Sequence, residues 1–473
     1  MIPKVDADIF LEVREIALSG PEQLLKVVEE NLSIIGIAVN QNSELKLQFL
    51  ENDKLRKEEI SIKTENSSIS VEAADYQSLC LGASSVLQSL FYKKSLNLNE
   101  SPAFRWRGAM LDCCRHFFPL EEVKRFINLL FLHRFNVFHW HLTEDQGWRI
   151  QIDKYPLLTE LSSWRREDDG SIYGGYYSRE EIREVIQFAA DRGIDVVPEI
   201  EMPGHCQEVF KAYPELSCKG EKLETATTWG VFDDVFCAGN DEVFTFLKNV
   251  LDEVIDLFPS EYIHIGGDEC PKVRWEECPK CRQCMKDFEL KDTDELQSWF
   301  IRQIDNYLQQ KGKKLLGWDE ILEGGLAKNA TVLSWRGEEG AIEAAKLGHE
   351  AIMCPMKHCY LDWKNFDSEE EPGRLGVLEL EQVYAFNPVP EELPEEAAKF
   401  IIGGQGNIWT EGIPDRETLD ILTWPRLAAL SEVLWCGAGD DWPEFKKRVK
   451  KHLEFLDLYG VNSYKHFERW DRG

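Results

Sequence analysis

From Phe104 to Trp409 the chain repeats one pattern: a short apolar run, a polar and aromatic cluster, then often an amphipathic stretch. The apolar runs are WRGAMLDCC, NVFHWHLT, IDVVPEIE, YIHIGG, KLLGWDE, TVLSWRG, EAIMCP and FIIGGQGNIW, eight strand candidates in all. Stretches such as LEEVKRFINLLFLHRF, SREEIREVIQFAADRG and DELQSWFIRQIDNYLQQKG carry the helical period between them. Eight strands alternating with helices over about 370 residues predict an α/β chain with a (β/α)8 TIM barrel, a fold of ~200 to over 400 residues. A doubly wound sheet is the other architecture this alternation allows. No glycine-rich dinucleotide fingerprint follows the first strand, which counts against it.

A barrel of this kind does its chemistry where strands end at the C-terminal face. Polar and aromatic residues should therefore collect just after each strand, and here they do. Arg115 and His116 follow the first strand, HLTEDQGW the second, EMPGH the third and GGDE the fourth. Trp318, Asp319 and Glu320 follow the fifth, and Trp335 and Arg336 the sixth. Tyr360, Asp362 and Trp363 lie beyond the seventh, and Trp409 and Glu411 close the eighth.

Residues 1–100 read differently, as a small non-catalytic α+β domain ahead of a catalytic barrel at 101–473. LKLQFL, EEISIKT and SISVEA alternate as antiparallel strands, and SLCLGASSVLQSLF reads as a helix packed on them. The polar stretch 93–104, with Pro102, is the linker candidate.

The 473 residues are 43% hydrophobic, enough for a large core, and carry a formal net charge of −31. So acidic a surface repels phosphate backbones and anionic lipids, so no nucleic-acid or membrane partner is expected. The N-terminus has no basic segment leading into an apolar one, and no apolar run reaches the ~18 residues of a membrane span. The 13 cysteines are an odd number scattered through predicted strands and helices, which points to a reducing, cytoplasmic setting. Cys270, Cys278, Cys281 and Cys284 cluster in sequence after the fourth strand. Four thiols can hold zinc, but the spacing lacks two well-separated pairs, and a reduced cysteine-rich loop is the other reading; no metal is assigned.

The strand-end residues are acids, indoles, an arginine and a histidine, without a nucleophilic serine elbow or a phosphate loop. Indoles beside carboxylates suit a sugar: the rings stack on its apolar face and the acids bind its hydroxyls. Glycoside hydrolysis needs a protonated acid at the leaving oxygen and a group that stabilises the anomeric carbon. An ordinary retaining enzyme supplies two carboxyls ~5–5.5 Å apart. Here the prominent pair, Asp268 and Glu269, are sequence neighbours. Neighbours on a strand point to opposite faces, so the two must do different jobs. Each of these residues also has a plainer reading alone: a solvated strand end for the two acids, an ion pair for Arg115, a core position for His205 and each tryptophan.

Read in order, RGAMLDCCRHFFP, NVFHWHLTEDQGWRI, PEIEMPGH, HIGGDE, GWDEI, SWRG and GGQGNIWTE resemble glycoside hydrolase family 20, the β-N-acetylhexosaminidases. The resemblance runs from about residue 104 to the end, and the first hundred residues resemble the small domain that precedes the barrel in that family. It implies a retaining exo-enzyme, without a cofactor, acting on an oligosaccharide or glycoconjugate with a terminal β-linked GlcNAc or GalNAc. The nucleophile is then the substrate's own acetamido carbonyl, closing an oxazolinium ring. The resemblance implies Glu269 as general acid and base, and Asp268 as the group orienting the acetamido N–H. It implies that Arg115 binds outer hydroxyls and that Glu144 and His205 relay toward Glu269. Trp318, Trp335 and Trp409 then line the acetamido pocket and sugar face, Tyr360 bonds the acetamido oxygen, and Asp362 and Glu411 hold hydroxyls. Family relatives often carry Asp where Glu144 stands. Release of a disaccharide, in the manner of a lacto-N-biosidase, a silent sugar-binding protein and a zinc-dependent hydrolase are the other functions this sequence leaves open.

Overall fold

The computed structural model describes residues 13–94 and 96–470. The first twelve residues, part of the N-terminal stretch read above as lacking a basic-then-apolar leader pattern, lie outside the described residues.

The N-terminal unit is a six-stranded sheet with helices. Its strands are β1 (Glu15–Ser19), β2 (Ala38–Val39), β3 (Lys46–Glu51), β4 (Ile60–Glu65), β5 (Ser68–Ala73) and β6 (Leu98–Glu100), in the order β2-β1-β3-β5-β4-β6. The expectation of three antiparallel strands needs correction. The β4–β5 pair is antiparallel, but β3 runs parallel to both β1 and β5. The reason is connectivity. The helix Glu22–Ile34 carries the chain back from β1 to β2, residues 40–45 cross to β3 on the other side of β1, and residues 52–59 carry it past β5 to β4, so the hairpin return inserts β5 beside β3. Alternation marks each strand but not its direction. Part of the polar stretch expected as a linker is the edge strand β6, antiparallel to β4.

The expected helix forms over Tyr76–Tyr92, with Asp75 accepting from the Ser78 N–H at its start. It sits so close to the sheet that a Cβ on Gly82 would lie 2.3 Å from Val71 Cγ1. Its other side meets the barrel: the Ser84 hydroxyl and Gln88 amide both donate to the Leu132 carbonyl, at 3.1 and 2.6 Å. Arg107 and Glu58, 2.8 Å apart, tie the two units at the base of the barrel.

The barrel strands are β7 (Trp106–Asp112), β8 (Val137–His141), β11 (Asp195–Glu199), β12 (Tyr262–His264), β13 (Lys314–Trp318), β14 (Thr331–Ser334), β15 (Ala351–Met353) and β16 (Ile401–Ile408). All eight expected strands are present, parallel, and closed in the order β11-β12-β13-β14-β15-β16-β7-β8. The doubly wound alternative is excluded by that closure. Between β8 and β11 a hairpin, β9 (Trp164–Arg166) and β10 (Ile172–Gly174), folds over the upper rim. Buried Arg149 anchors that region by donating to the carbonyls of Cys113, Cys114, Ser163 and Gly175.

The helices Leu120–Leu132, Arg179–Ala190, Asp241–Leu257 and Thr293–Gln310 follow β7, β8, β11 and β12. Each buries an apolar stripe, and Ser178 with Glu181 forms a reciprocal capping box at the second. Between β13 and β14 there is only the 3-10 turn Asp319–Leu322. Among the described residues no helix is long and apolar enough to cross a membrane.

Candidate active site

Strand β12 ends after three residues because the chain turns there into the left-handed region. Gly266 and Gly267 have φ of +66° and +92°. A Cβ at Gly266 would lie 1.7 Å from Glu201 Oε2, so no side chain fits. Glu269 itself has φ +41°, an uncommon value for a residue with a side chain. The hinge removes the alternation that would separate neighbours. His205 Nε2 lies 3.4 Å from Glu269 Oε2 and 3.8 Å from Asp268 Oδ2. Both acids thus reach one imidazole from one side of the backbone.

His205 also has a positive φ, +48°, in the turn after β11. Its Nδ1–H donates to Glu144 Oε1 at 2.7 Å and Asp145 Oδ2 at 3.1 Å. Burial disfavours its charged form, but Glu144, Asp145 and Glu269 outweigh this and hold its pKa well above the ordinary histidine value. Glu144 in turn meets Arg115: Nη2 is 2.8 Å from Glu144 Oε2 and Nη1 is 3.4 Å from Asp112 Oδ2. The Arg115 guanidinium carbon lies 4.9 Å over the Trp409 ring.

The two adjacent acids are driven apart electrically. Burial pushes Asp268 well above the carboxylate range; His205 opposes this, and Glu320, Glu199 and Glu269 reinforce it. Glu269 is lowered, chiefly by its contact with the His205 imidazolium, against a smaller rise from partial burial. At 3.4 Å that contact is an ion pair rather than a fully formed hydrogen bond. The Glu269 side chain is 43% exposed, so the lowering belongs to the open cleft.

Strands β13 to β16 supply an aromatic cage. Trp318 and Trp409 have ring centroids 5.7 Å apart, Tyr360 and Trp409 6.4 Å, and Trp335 stacks on Tyr360 at 6.1 Å. Trp318 Nε1 donates to Glu199 at 2.8 Å and Trp335 Nε1 to Glu320 at 2.9 Å, which fixes both indole planes. On the rim Arg374 Nη1 lies 2.6 Å from Glu411 Oε1 and Nε 3.8 Å from Asp362 Oδ2. Burial, with the nearby Glu411, pushes Asp362 up to about 8, Arg374 opposing. Asp268 Oδ1, both Asp362 oxygens and Glu411 Oε2 are buried without a hydrogen-bond partner in the protein. Buried acceptors of this kind are what a polyhydroxylated ligand satisfies.

All the residues singled out from the sequence therefore gather at one end of the barrel: Arg115, Glu144, His205, Asp268, Glu269, Trp318, Trp335, Tyr360, Asp362, Trp409 and Glu411. Two clefts meet at Glu269. One, of about 480 Å³, is lined by Arg115, Trp229, Val231, Arg374 and Glu411; the other, of about 430 Å³, by Lys272, Gln297, Glu320 and Arg336.

Sequence reasoning missed three groups. Arg374 follows the acidic run DSEEE and reads as part of a solvated loop. Trp229 and Val231 sit in a long loop without a strand-end signal. The third is the polar floor: Glu199 lies 2.9 Å from His139 and 2.8 Å from His264, and His141 bridges Asp112 and Glu201 at 3.2 Å each. That floor did leave a signal, since FHWHL and PEIEM place polar residues two apart on the inward face of strands.

The sequence-adjacent cysteine set is not one cluster. Cys278 and Cys281 face Cys218 and Cys237, while Cys270 lies against Gly204 and Cys284 is outside the quartet. The helix Pro279–Asp287 rises about 4.5 Å every three residues, which carries Cys284 too far along its axis.

Residues 104–438 match the glycosyl hydrolase family 20 catalytic domain. A β-hexosaminidase from Porphyromonas gingivalis is 49% identical over 370 residues, 78% of this chain and 48% of that protein. The chain thus spans about half the length of that relative. A family 20 exo-β-N-acetylglucosaminidase from Vibrio harveyi, solved in complex with N-acetylglucosamine, superposes with a TM-score of 0.86 at 33% identity, over 98% of this chain and 77% of that one. A β-N-acetylhexosaminidase from Bacteroides fragilis superposes with a TM-score of 0.84 at 29% identity, over 100% of this chain and 97% of that one. The closed barrel, the glycine hinge that brings two neighbouring acids to one histidine, and the match over most of the barrel place the chain in glycosyl hydrolase family 20.

Proposed function

We propose that the chain is a retaining exo-β-N-acetylhexosaminidase that removes a terminal β-linked GlcNAc with the substrate's acetamido group as nucleophile. The observation that carries this is the convergence of Asp268 and Glu269 on His205 Nε2. Sequence neighbours held on one imidazole suit one acid at the leaving oxygen and one at the acetamido N–H, rather than an acid and a nucleophile on opposite faces of the sugar. The Vibrio harveyi relative, solved with N-acetylglucosamine, supports the choice of sugar.

In this reading the sugar occupies the Arg115–Glu411 cleft and the leaving group the Lys272–Arg336 cleft, with Glu269 between them. The acetamido group enters the cage of Trp318, Trp335, Trp409 and Tyr360. Asp268 accepts the acetamido N–H and so aims the carbonyl oxygen at the anomeric carbon, a gain of orientation. Glu269 protonates the leaving oxygen, and the same carboxylate then deprotonates the water that opens the oxazolinium ring. In the open cleft Asp268 holds a proton more readily than Glu269. Substrate reverses this: it buries Glu269, and the cationic ring beside Asp268 stabilises that carboxylate. Arg374 pairs with Glu411 and lies beside Asp362 at the rim, where it sets the two acids that would hold the terminal sugar's hydroxyls.

The test is a trisaccharide of β-linked N-acetylglucosamine followed by NMR. Release of monosaccharide in the β configuration is expected. Initial release of a disaccharide, or of the α-anomer, contradicts the proposal.

A pH prediction follows from the charge on His205. Its imidazolium lowers both Asp268 and Glu269. In His205→Asn both acids rise, so both limbs of the kcat/KM profile move to higher pH. Unmoved limbs contradict the charge assignment, whatever the fall in the maximum.

A further inference from the structure

A second centre lies away from the cleft. Four cysteines from two different loops converge: Cys218 and Cys237 after β11, Cys278 and Cys281 after β12. Sγ–Sγ distances are 3.6 Å for Cys237–Cys281, 3.7 Å for Cys218–Cys281 and 3.8 Å for Cys237–Cys278. All four sulfurs lie within 4.8 Å of one another. A tetrahedral zinc with Zn–S of ~2.3 Å spaces its sulfurs by about 3.8 Å. Disulfide sulfurs stand at ~2.05 Å, so these spacings fit an ion and not a bridge.

The backbone is built for this convergence. An isolated antiparallel bridge, Ser217 to Phe236, sets Cys218 beside Cys237. Cys278 is the N-cap of the helix Pro279–Asp287 and Cys281 sits in its first turn, where backbone N–H groups and the helix dipole favour thiolates. The Trp275 indole donates to the Phe236 carbonyl at 2.9 Å, and Arg274 meets Asp234 at 3.0 Å, which locks one loop on the other. At Gly239 a Cβ would lie 2.2 Å from the Lys280 carbonyl carbon and 2.5 Å from the Cys281 nitrogen. Only glycine lets the two cysteine segments approach so closely.

We propose that Cys218, Cys237, Cys278 and Cys281 bind one structural zinc ion. The four thiolates complete the tetrahedron, so no position is open for water or substrate, and the ion takes no part in hydrolysis. It staples the loop that carries His205, Trp229 and Val231 to the loop that carries Asp268 and Glu269. The ion therefore holds the histidine, its two acids and the cleft wall in one register. This assignment does not depend on the reaction proposed above.

The test is elemental analysis of the full chain, purified without added metal or chelator. About one zinc per chain is expected. The double variant Cys278→Ser/Cys281→Ser should lose the metal and melt on the order of 5 °C or more lower. Cys270→Ser/Cys284→Ser, which alters the two neighbouring cysteines that stand outside the quartet, should keep it. If the first double variant fails to fold, the wild-type metal content and the second variant still decide. Wild type with less than about 0.1 zinc per chain and four freely titrating thiols overturns the proposal. So does iron in place of zinc, a disulfide among the four found by mass spectrometry, or loss of zinc from Cys270→Ser/Cys284→Ser.

Discussion

Glu269→Gln loses about 10²–10⁴-fold in kcat/KM on a β-linked N-acetylglucosamine disaccharide, the contribution of a positioned general acid. The loss shrinks as the leaving group improves, because an activated phenolate departs without a proton. The variant should keep its fold, since the Glu269 side chain is 43% exposed and its contact with the protein is the 3.4 Å approach to His205. A series of aryl glycosides of falling leaving-group pKa checks this. An equal loss across the series contradicts a general-acid role. Glutamine is the right replacement because it keeps the shape beside His205 while removing the titratable carboxyl and its charge.

The second large effect belongs to Asp268. Asp268→Asn removes a charge where the substrate becomes cationic, and it offers an amide to the acetamido group in place of a carboxylate. A fall of about 10²–10³ in kcat is expected, or about 3–4 kcal/mol of transition-state stabilisation, with a smaller change in KM. The loss should persist with activated leaving groups, unlike that of Glu269→Gln, because ring closure is impaired rather than protonation. Burial and neighbouring acids already disfavour the charged form of Asp268 in the open cleft. The variant should therefore be no less stable than the parent, and a thermal melt run beside the kinetics checks that.

The barrel was legible because its evidence is local. Each strand is an apolar run, and each ends in residues that a buried strand would exclude. The convergence of Asp268 and Glu269 was harder to read. Alternation says that neighbours diverge, and only the φ values at Gly266, Gly267 and Glu269 reverse it. Strand direction in the N-terminal sheet was not legible, because β3, β4 and β5 share one alternating pattern while pairing both ways. Arg374 was hidden for a different reason. Its role comes from two carboxylates brought from β16 and from the segment beyond β15, and nothing in its own neighbourhood records them. The cysteines combine both cases. Cys278 and Cys281 were visible as a spaced pair, but their partners, Cys218 and Cys237, come from another loop, so the sequence pointed to Cys270 and Cys284 instead.

The central claim is that the substrate's acetamido carbonyl takes the place of a protein nucleophile. One comparison tests it most directly: turnover of an aryl 2-acetamido-β-glucoside against the same aryl β-glucoside, whose 2-hydroxyl cannot close the ring. The account predicts a preference of at least ~10³-fold in kcat for the acetamido sugar, the scale of an intramolecular reaction held in alignment. Comparable kcat values for the two sugars would mean that a side chain attacks the anomeric carbon, and the account would be wrong.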